Sequence, residues 1–208
     1  MRRSVRALLS SMALGLFLGG CGHMPVSTMV SLRNFDFATF DPAEMRAGLR
    51  FPDVLVLRPN GLKLVVELEH KGPVPEKRKE IFHLKETSEA ALSTELMPHQ
   101  KRGMRVVGYR IDAADVARIR GLQELGQKWK REGTQNKNNL TINFEPDVCR
   151  RDVLPEGPLS VTTFLKVDAQ SQLLVFLKDV DLRSLAKQAG KSLDENVPLC
   201  DRFTNRAE

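Results

Sequence analysis

Alternating apolar and polar residues constrain the fold of this chain most, since a period of two is typical of a β-strand with one face in a core. Residues 62–70 are apolar at every even position from 62 to 68 and charged at most of the positions between them. Residues 51–58 precede this segment, and Pro59-Asn60-Gly61 joins the two as a turn signal, because glycine tolerates positive φ. The pattern predicts a β-hairpin with residues 51–58 and 62–70 as its arms.

Further strand patterns follow along the chain. Strands are predicted over residues 79–85, 103–111 and 140–144, and a last hairpin over residues 161–168 and 172–180. The second arm of that hairpin is apolar on both faces at residues 173–177, which predicts a central strand covered on both sides. Residues 88–97 fit either a strand or a helix.

One long helix interrupts these strands. Asp112 is placed to cap it, Asp115 stands three residues further on as in a capping box, and Gly133 ends it. An apolar stripe at helical spacing follows the cap and contains Val116, Ile119, Leu122, Leu125 and Trp129. Because no βαβ alternation repeats, the predicted fold class is α+β: a mostly antiparallel β-sheet or sandwich with one long helix packed on it.

Two shorter helices are also predicted. Asp41-Pro42-Ala43-Glu44 combines an acidic cap, a proline at the first position and a glutamate at the third, which indicates a helix that ends by Gly48. Residues 182–189 form the second short helix, and Gly190 ends it. Each of them would follow or precede a strand, so neither changes the predicted fold class.

The start of the chain has the layout of a signal peptide. Arg2, Arg3 and Arg6 form a positive head, and residues 7–18 carry no charge. This apolar run has signal-peptide length and is too short for a transmembrane helix, which needs about 20 apolar residues. Small residues, Gly19 and Gly20, then precede Cys21.

Leu18-Gly19-Gly20-Cys21 resembles the lipobox of bacterial lipoproteins. The resemblance implies a signal peptide over residues 1–20, cleavage between Gly20 and Cys21, a diacylglycerol on the Cys21 thiol and acylation of the new amino terminus. It also implies a periplasmic location, with the outer membrane favoured because no Asp follows Cys21. The alternative is an ordinary signal peptide in which Cys21 is incidental.

The resemblance divides the chain into an anchor and a domain. Residues 21–29 form a lipidated tether, residues 30–190 a single globular periplasmic domain, and residues 191–208 a C-terminal tail. Cys149 and Cys200 remain as an even pair in an oxidising compartment, which predicts a disulfide that holds the tail. Its loop of about 50 residues would stabilise the fold by about 4 kcal/mol. A metal pair or a catalytic thiol are the alternatives.

Composition and motifs narrow the range of partners and activities expected of this chain. The formal net charge is +6, and the three leader arginines supply half of it, so no nucleic-acid partner is expected. No nucleophile signature or metal-site histidine spacing occurs, so we expect neither a cofactor nor an enzyme. Glu67 and Glu69 share a strand face that could bind a cation or simply face solvent. Basic clusters such as Arg150-Arg151 could engage anionic lipid headgroups or remain solvated.

Three functions stay open at this point. The first is a non-catalytic envelope module that docks a protein partner through an edge strand or the helix. The second is a carrier or binder of an amphiphile or anionic glycolipid, with a cavity in the sandwich. The third is an enzyme with a site assembled from distant residues. The lipid bilayer, reached through acylated Cys21, is the other partner expected.

Overall fold

Antiparallel strands are the most abundant secondary structure in this computed structural model, which describes residues 37–72, 74–132 and 138–200. The eight strands are β1 (Arg46–Pro52), β2 (Leu55–His70), β3 (Glu76–His83), β4 (Lys85–Thr87), β5 (Met104–Arg110), β6 (Asn138–Arg150), β7 (Ser160–Lys166) and β8 (Leu174–Asp181). The four α-helices are α1 (Ala90–Leu96), α2 (Ala113–Arg131), α3 (Leu182–Gln188) and α4 (Leu193–Asn196). The predicted α+β class with antiparallel sheets and one long helix is confirmed.

The strands form two sheets. The five-stranded sheet has the order β4-β5-β1-β7-β8, and the three-stranded sheet has the order β3-β2-β6. Every strand pair in both sheets is antiparallel. The inner faces of the sheets pack against each other in one apolar core, to which β1 contributes Leu49, β2 contributes Leu64 and β7 contributes Leu165.

The long helix α2 packs into this core as the sequence predicts. The Asp112 side chain caps it by accepting a hydrogen bond from the Ala114 amide at 3.1 Å. Ile119, Leu122 and Trp129 of the predicted stripe are buried in the core, because they lie on one face of the helix. The Trp129 ring stacks on the His70 ring at the end of β2, with 5.1 Å between ring centroids.

The two sides of the sandwich differ. On one side β3 and β4 are joined by Leu84 alone, so an edge of one sheet meets an edge of the other there. The Leu84 side chain is buried, and its amide donates to the Leu62 carbonyl at 2.8 Å. We call this side the closed corner. On the other side β6 and β8 are the sheet edges among the described residues, and we call that side the open seam.

The predicted hairpin with arms 51–58 and 62–70 is wrong. The chain turns at Asp53 and Val54, and β2 then runs through Pro59-Asn60-Gly61 as one strand, with a register irregularity against β6 between Leu57 and Leu62. Asn60 adopts a φ of 56°, and a Cβ on Gly61 would lie 2.7 Å from the Asp147 carbonyl oxygen of β6. The residues that signalled a turn therefore form a bulge.

Two further predictions are wrong. Residues 42–44 form only a turn, in which the Asp41 side chain accepts from the Ala43 amide, and Gly48 lies within β1. A Cβ on Gly48 would lie 2.6 Å from Leu96, so this glycine admits α1 onto the outer face of the five-stranded sheet. Residues 173–177 do not form a central strand. They lie largely in β8, an edge strand among the described residues, and are half-buried.

The structure settles three other local predictions: the last hairpin, the helix over residues 182–189 and the ambiguous segment 88–97. The last hairpin forms from β7 and β8, the predicted helix over residues 182–189 is α3, and Gly190 follows it at a φ of 69°. Residues 88–97 contain the helix α1. The signal peptide and tether, including Cys21, lie outside the described residues. Within the described ranges, no helix is long and apolar enough to cross a membrane.

Candidate functional site

A row of three cavities follows the inner face of the three-stranded sheet. Four cross-strand pairs of β2 and β6 border it, in the order Leu62–Pro146, Leu64–Phe144, Val66–Ile142 and Leu68–Leu140. Consecutive pairs on one face lie two residues apart, or roughly 7 Å, so the row extends over roughly 20 Å. This row, on the side of the open seam, is the candidate functional site.

The central cavity has a volume of about 130 Å³ and an entirely apolar lining. Both sheets contribute to it, through side chains such as Val66 of β2 and Leu165 of β7, and α2 contributes Ile119. Phe37 and Phe40 close one wall, with 5.5 Å between their ring centroids. A cavity of this volume and lining is able to hold a benzene-sized group, by the behaviour of engineered apolar cavities in other proteins.

The second cavity, of about 210 Å³, lies beside α3, and we call it the Leu185 cavity. It shares Ile142, Phe144 and Phe176 with the central cavity. The Phe144 and Phe176 rings meet edge to face, with 6.2 Å between ring centroids, and both rings are half-buried. These shared side chains therefore separate the two cavities. The exposed Leu185 side chain borders the Leu185 cavity at the end away from the central cavity.

The third cavity, also of about 210 Å³, lies beside the C-terminal part of α2, and we call it the Trp129 cavity. It shares Phe37 with the central cavity. Its outer end is more polar than the rest of the row, because Lys130, Asn138 and Asn139 line it. The His70 Nδ1 and Asn138 Oδ1 atoms lie 2.7 Å apart, which fixes one of these polar side chains.

The Cys149–Cys200 disulfide forms, and it ties the C-terminal tail to β6, one edge of the open seam. Cys149 lies on β6, and the segment that leads from β8 through α3 and α4 returns to β6 at Cys200. The Arg150 amide donates to the Pro198 carbonyl and the Cys200 amide to the Arg150 carbonyl, both at 2.9 Å. The tail thus continues as a short parallel bridge on β6, and α3 is held over the Leu185 cavity from both of its ends.

A polar cluster lies on the other face of the five-stranded sheet. The buried Arg50 guanidinium donates to Thr162 Oγ1 at 2.8 Å and to Asp179 Oδ1 at 2.9 Å, and also to the His99 carbonyl. Burial raises the pKa of Asp179, but the Thr162 hydrogen bond and the Lys101 and Arg50 charges outweigh it, and the pKa is lowered. These contacts tie β1, β7 and β8 together, which is a structural role.

The carboxylates and histidines considered as a site do not come together. Glu67 and Glu69 lie on the outer face of the three-stranded sheet, paired with Lys77 at 2.7 Å and Lys71 at 3.4 Å. His70 points to the opposite face. No group of three or more potential metal ligands occurs in the described parts of the chain. The Arg150 side chain donates inward to the Val197 carbonyl at 3.0 Å, so it holds the tail rather than facing a lipid surface.

The sequence identified the residues of the row only as core. Leu140, Ile142 and Phe144 carry the alternation that predicted a strand, and this is the one signal that places them on a common face. Phe176 belongs to residues 173–177, for which the sequence predicts a central strand rather than the edge strand that the structure shows. Comparison with protein-family models, with curated proteins and with solved structures gives no match for this chain, so the geometry alone has to support a function.

Proposed function

We propose that this protein is an envelope lipoprotein, anchored through acylated Cys21, whose domain binds the apolar part of an amphiphile in the row of cavities. The observation that carries the proposal is the entirely apolar lining of the central cavity between two sheets. Pockets for small ligands are typically apolar with a few polar groups that fix orientation. The Trp129 cavity supplies such polar groups at one end of the row.

The energy of the void supports a bound ligand. By the measured cost of cavities in protein cores, the central cavity destabilises the domain by about 3 kcal/mol relative to close packing. An apolar group that filled this cavity would recover contacts of that order. Selection for stability alone would favour larger side chains at half-buried positions such as Ile142, whereas a binding function accounts for the space.

Binding can be tested with the full-length protein in detergent-free membrane discs, titrated with dodecanoate below its micelle concentration and followed by calorimetry. We expect saturable heat that protein-free discs do not give. Ile142→Phe fills the shared wall of two cavities and should weaken binding by at least tenfold. Thr141→Phe is the matched control, because the neighbouring residue faces the other side of β6 and lines none of the three cavities. Equal affinity of the two variants would contradict the proposal.

The anchor is supported by the positive head, the uncharged run and the lipobox-like residues that end at Cys21. The expected outcome is an N-terminal peptide that begins at Cys21 and carries acyl mass, read by mass spectrometry of the protein from bacterial cells. Cys21→Ala should leave the leader uncleaved and the peptide without acyl mass. A mature wild-type peptide that starts elsewhere, or that lacks acyl mass, would contradict the proposed anchor. It would leave the proposed binding in the row of cavities unaffected.

A second candidate function is docking of a protein partner on β6. Among the described residues, β6 pairs with β2 on one side, and on its other side only Arg150 bridges to Leu199. A 13-residue edge strand offers unpaired N–H and C=O groups to an added strand. In-cell crosslinking from Asn143, exposed on β6, should then yield one discrete envelope protein. Crosslinking from Ile81 of β3, on the opposite edge, should not.

A further inference from the structure

We propose that the ligand is an anionic amphiphile with one unbranched chain, whose headgroup lies at the Trp129 cavity and whose chain runs toward α3. This inference rests on the proposed function and specifies the ligand of the same row of cavities. Three features of the row carry it: its length, its narrow cross-section and the different chemistry of its two ends.

The length of the row matches a membrane acyl chain. Four cross-strand pairs at roughly 7 Å spacing give roughly 20 Å. The hydrocarbon core of a bilayer is about 30 Å thick, so the chains of one leaflet extend over about 15 Å. A single acyl chain can therefore occupy the central cavity and both neighbouring cavities at once.

The cross-section of the row excludes wider groups. Phe37 separates the Trp129 cavity from the central cavity, and the Phe144–Phe176 pair separates the central cavity from the Leu185 cavity. Each of these side chains lines both of the cavities that it divides, so a ligand that spans the row has to pass through the gap left when they rotate. A linear chain passes through such a gap, whereas a fused ring system does not.

The two ends of the row differ in polarity, which gives the ligand a direction. Lys130 and the amides of Asn138 and Asn139 border the Trp129 cavity. At the other end Leu182 and Leu185 of α3 border the Leu185 cavity. An anionic headgroup complements the first end, and an apolar chain terminus complements the second.

Trp129 allows a direct test of the direction, because it is the only tryptophan in the chain. Bromine quenches tryptophan fluorescence on contact, so dodecanoate brominated at carbon 2 should quench Trp129 strongly at saturation. Dodecanoate brominated at carbon 12 should quench it several-fold less. Equal quenching, or stronger quenching by the terminal bromine, would overturn the proposed direction.

Charge and shape are tested in the same discs by calorimetry with dodecanoate, dodecanol and cholate. We expect dodecanoate to bind at least tenfold more tightly than dodecanol, and cholate, an anion with a rigid ring system, not to saturate. Lys130→Gln should reduce the preference for dodecanoate several-fold. Lys128→Gln is the control, because Lys128 lines none of the three cavities.

The outcomes separate the two proposals. If none of the three probes binds, the proposed function fails and this inference fails with it. If dodecanoate, dodecanol and cholate bind equally well, the row binds amphiphiles but the ligand class inferred here is wrong. If Lys128→Gln and Lys130→Gln have the same effect, the headgroup position is wrong.

Discussion

The closed corner and the open seam are opposite sides of one sandwich, and they use apolar residues differently. At the closed corner Phe82 and Leu84 are buried to 99% each, and α2 packs against β2 and β3. At the open seam Phe144 and Phe176 are only half-buried and border cavities. The comparison shows that the first side is built for close packing and the second keeps space at the expense of stability.

The largest expected effect tests this difference directly. Phe82→Ala removes a buried ring that lies beneath the Arg118 guanidinium, so we expect a loss of about 4 kcal/mol in the free energy of unfolding. Phe176→Ala removes a half-buried ring beside existing space and should cost about 1–2 kcal/mol. Urea unfolding followed by circular dichroism measures both. Equal losses would mean that the two sides are packed alike.

The disulfide is expected to have the next largest effect, and it acts on the open seam. Replacing both Cys149 and Cys200 with Ser releases a loop that spans a sequence separation of 51 residues and should cost about 2–4 kcal/mol in unfolding free energy. Hydrogen exchange should also rise in α3 and α4 more than in α2. Uniformly raised exchange would show that the bond stabilises the whole domain without a particular effect on the seam.

A buried amide connects α2 to the wall of the central cavity. Gln123 Nε2 donates to the Phe37 and Phe40 carbonyls, both at 2.8 Å, so Gln123→Ala removes two buried hydrogen bonds and should cost about 2 kcal/mol. Gln127→Ala removes one bond, to the Ala38 carbonyl, and serves as the weaker comparison. Thermal unfolding of the two variants distinguishes them. A larger loss for Gln127→Ala would contradict this account.

The smallest expected loss of unfolding free energy comes from removing Asp181, the N-cap of α3 at the open seam. The Ser184 hydrogen bond, opposed by burial and assisted by backbone amides, lowers the pKa of Asp181 below the ordinary 3.8. Ionised Asp181 therefore stabilises the fold above pH 3.8, and this contribution is lost as the pH falls through the folded pKa. Asp181→Ala should cost about 1 kcal/mol at pH 7 and less below pH 3.8. A cost that does not change with pH would contradict the role of the carboxylate.

Local patterns in the sequence predicted the long helix, the disulfide and two of the strands. The Asp112 cap and the stripe through Ile119 and Trp129 specify α2, because both depend only on residues within a few turns. The disulfide was predictable because Cys149 and Cys200 are the two cysteines that remain once Cys21 is assigned to the lipobox-like motif. Alternation predicted that residues 62–70 form a strand, and that the inner side of β6 is apolar.

The turn and the site could not be predicted, because both depend on contacts distant in sequence. Pro59-Asn60-Gly61 satisfies the rules for a turn, and only the Asp147 carbonyl of β6 shows that Gly61 belongs to a bulge. In the same way, the sequence identifies Ile142 and Phe176 only as core residues. Whether they touch or leave a cavity depends on the separation of two sheet edges, which no local pattern encodes.

The disulfide has a mechanical consequence for the domain under a pulling force. A pulling force between the described ends at Phe37 and Cys200 reaches β6 and then crosses directly from Cys149 to Cys200. The covalent path of this force therefore bypasses the segment between these cysteines, which contains β7, β8, α3 and α4. One wall of the Leu185 cavity, formed by β8 and α3, is thus off the covalent path of tension, whereas the opposite wall, formed by β2 and β6, lies on it.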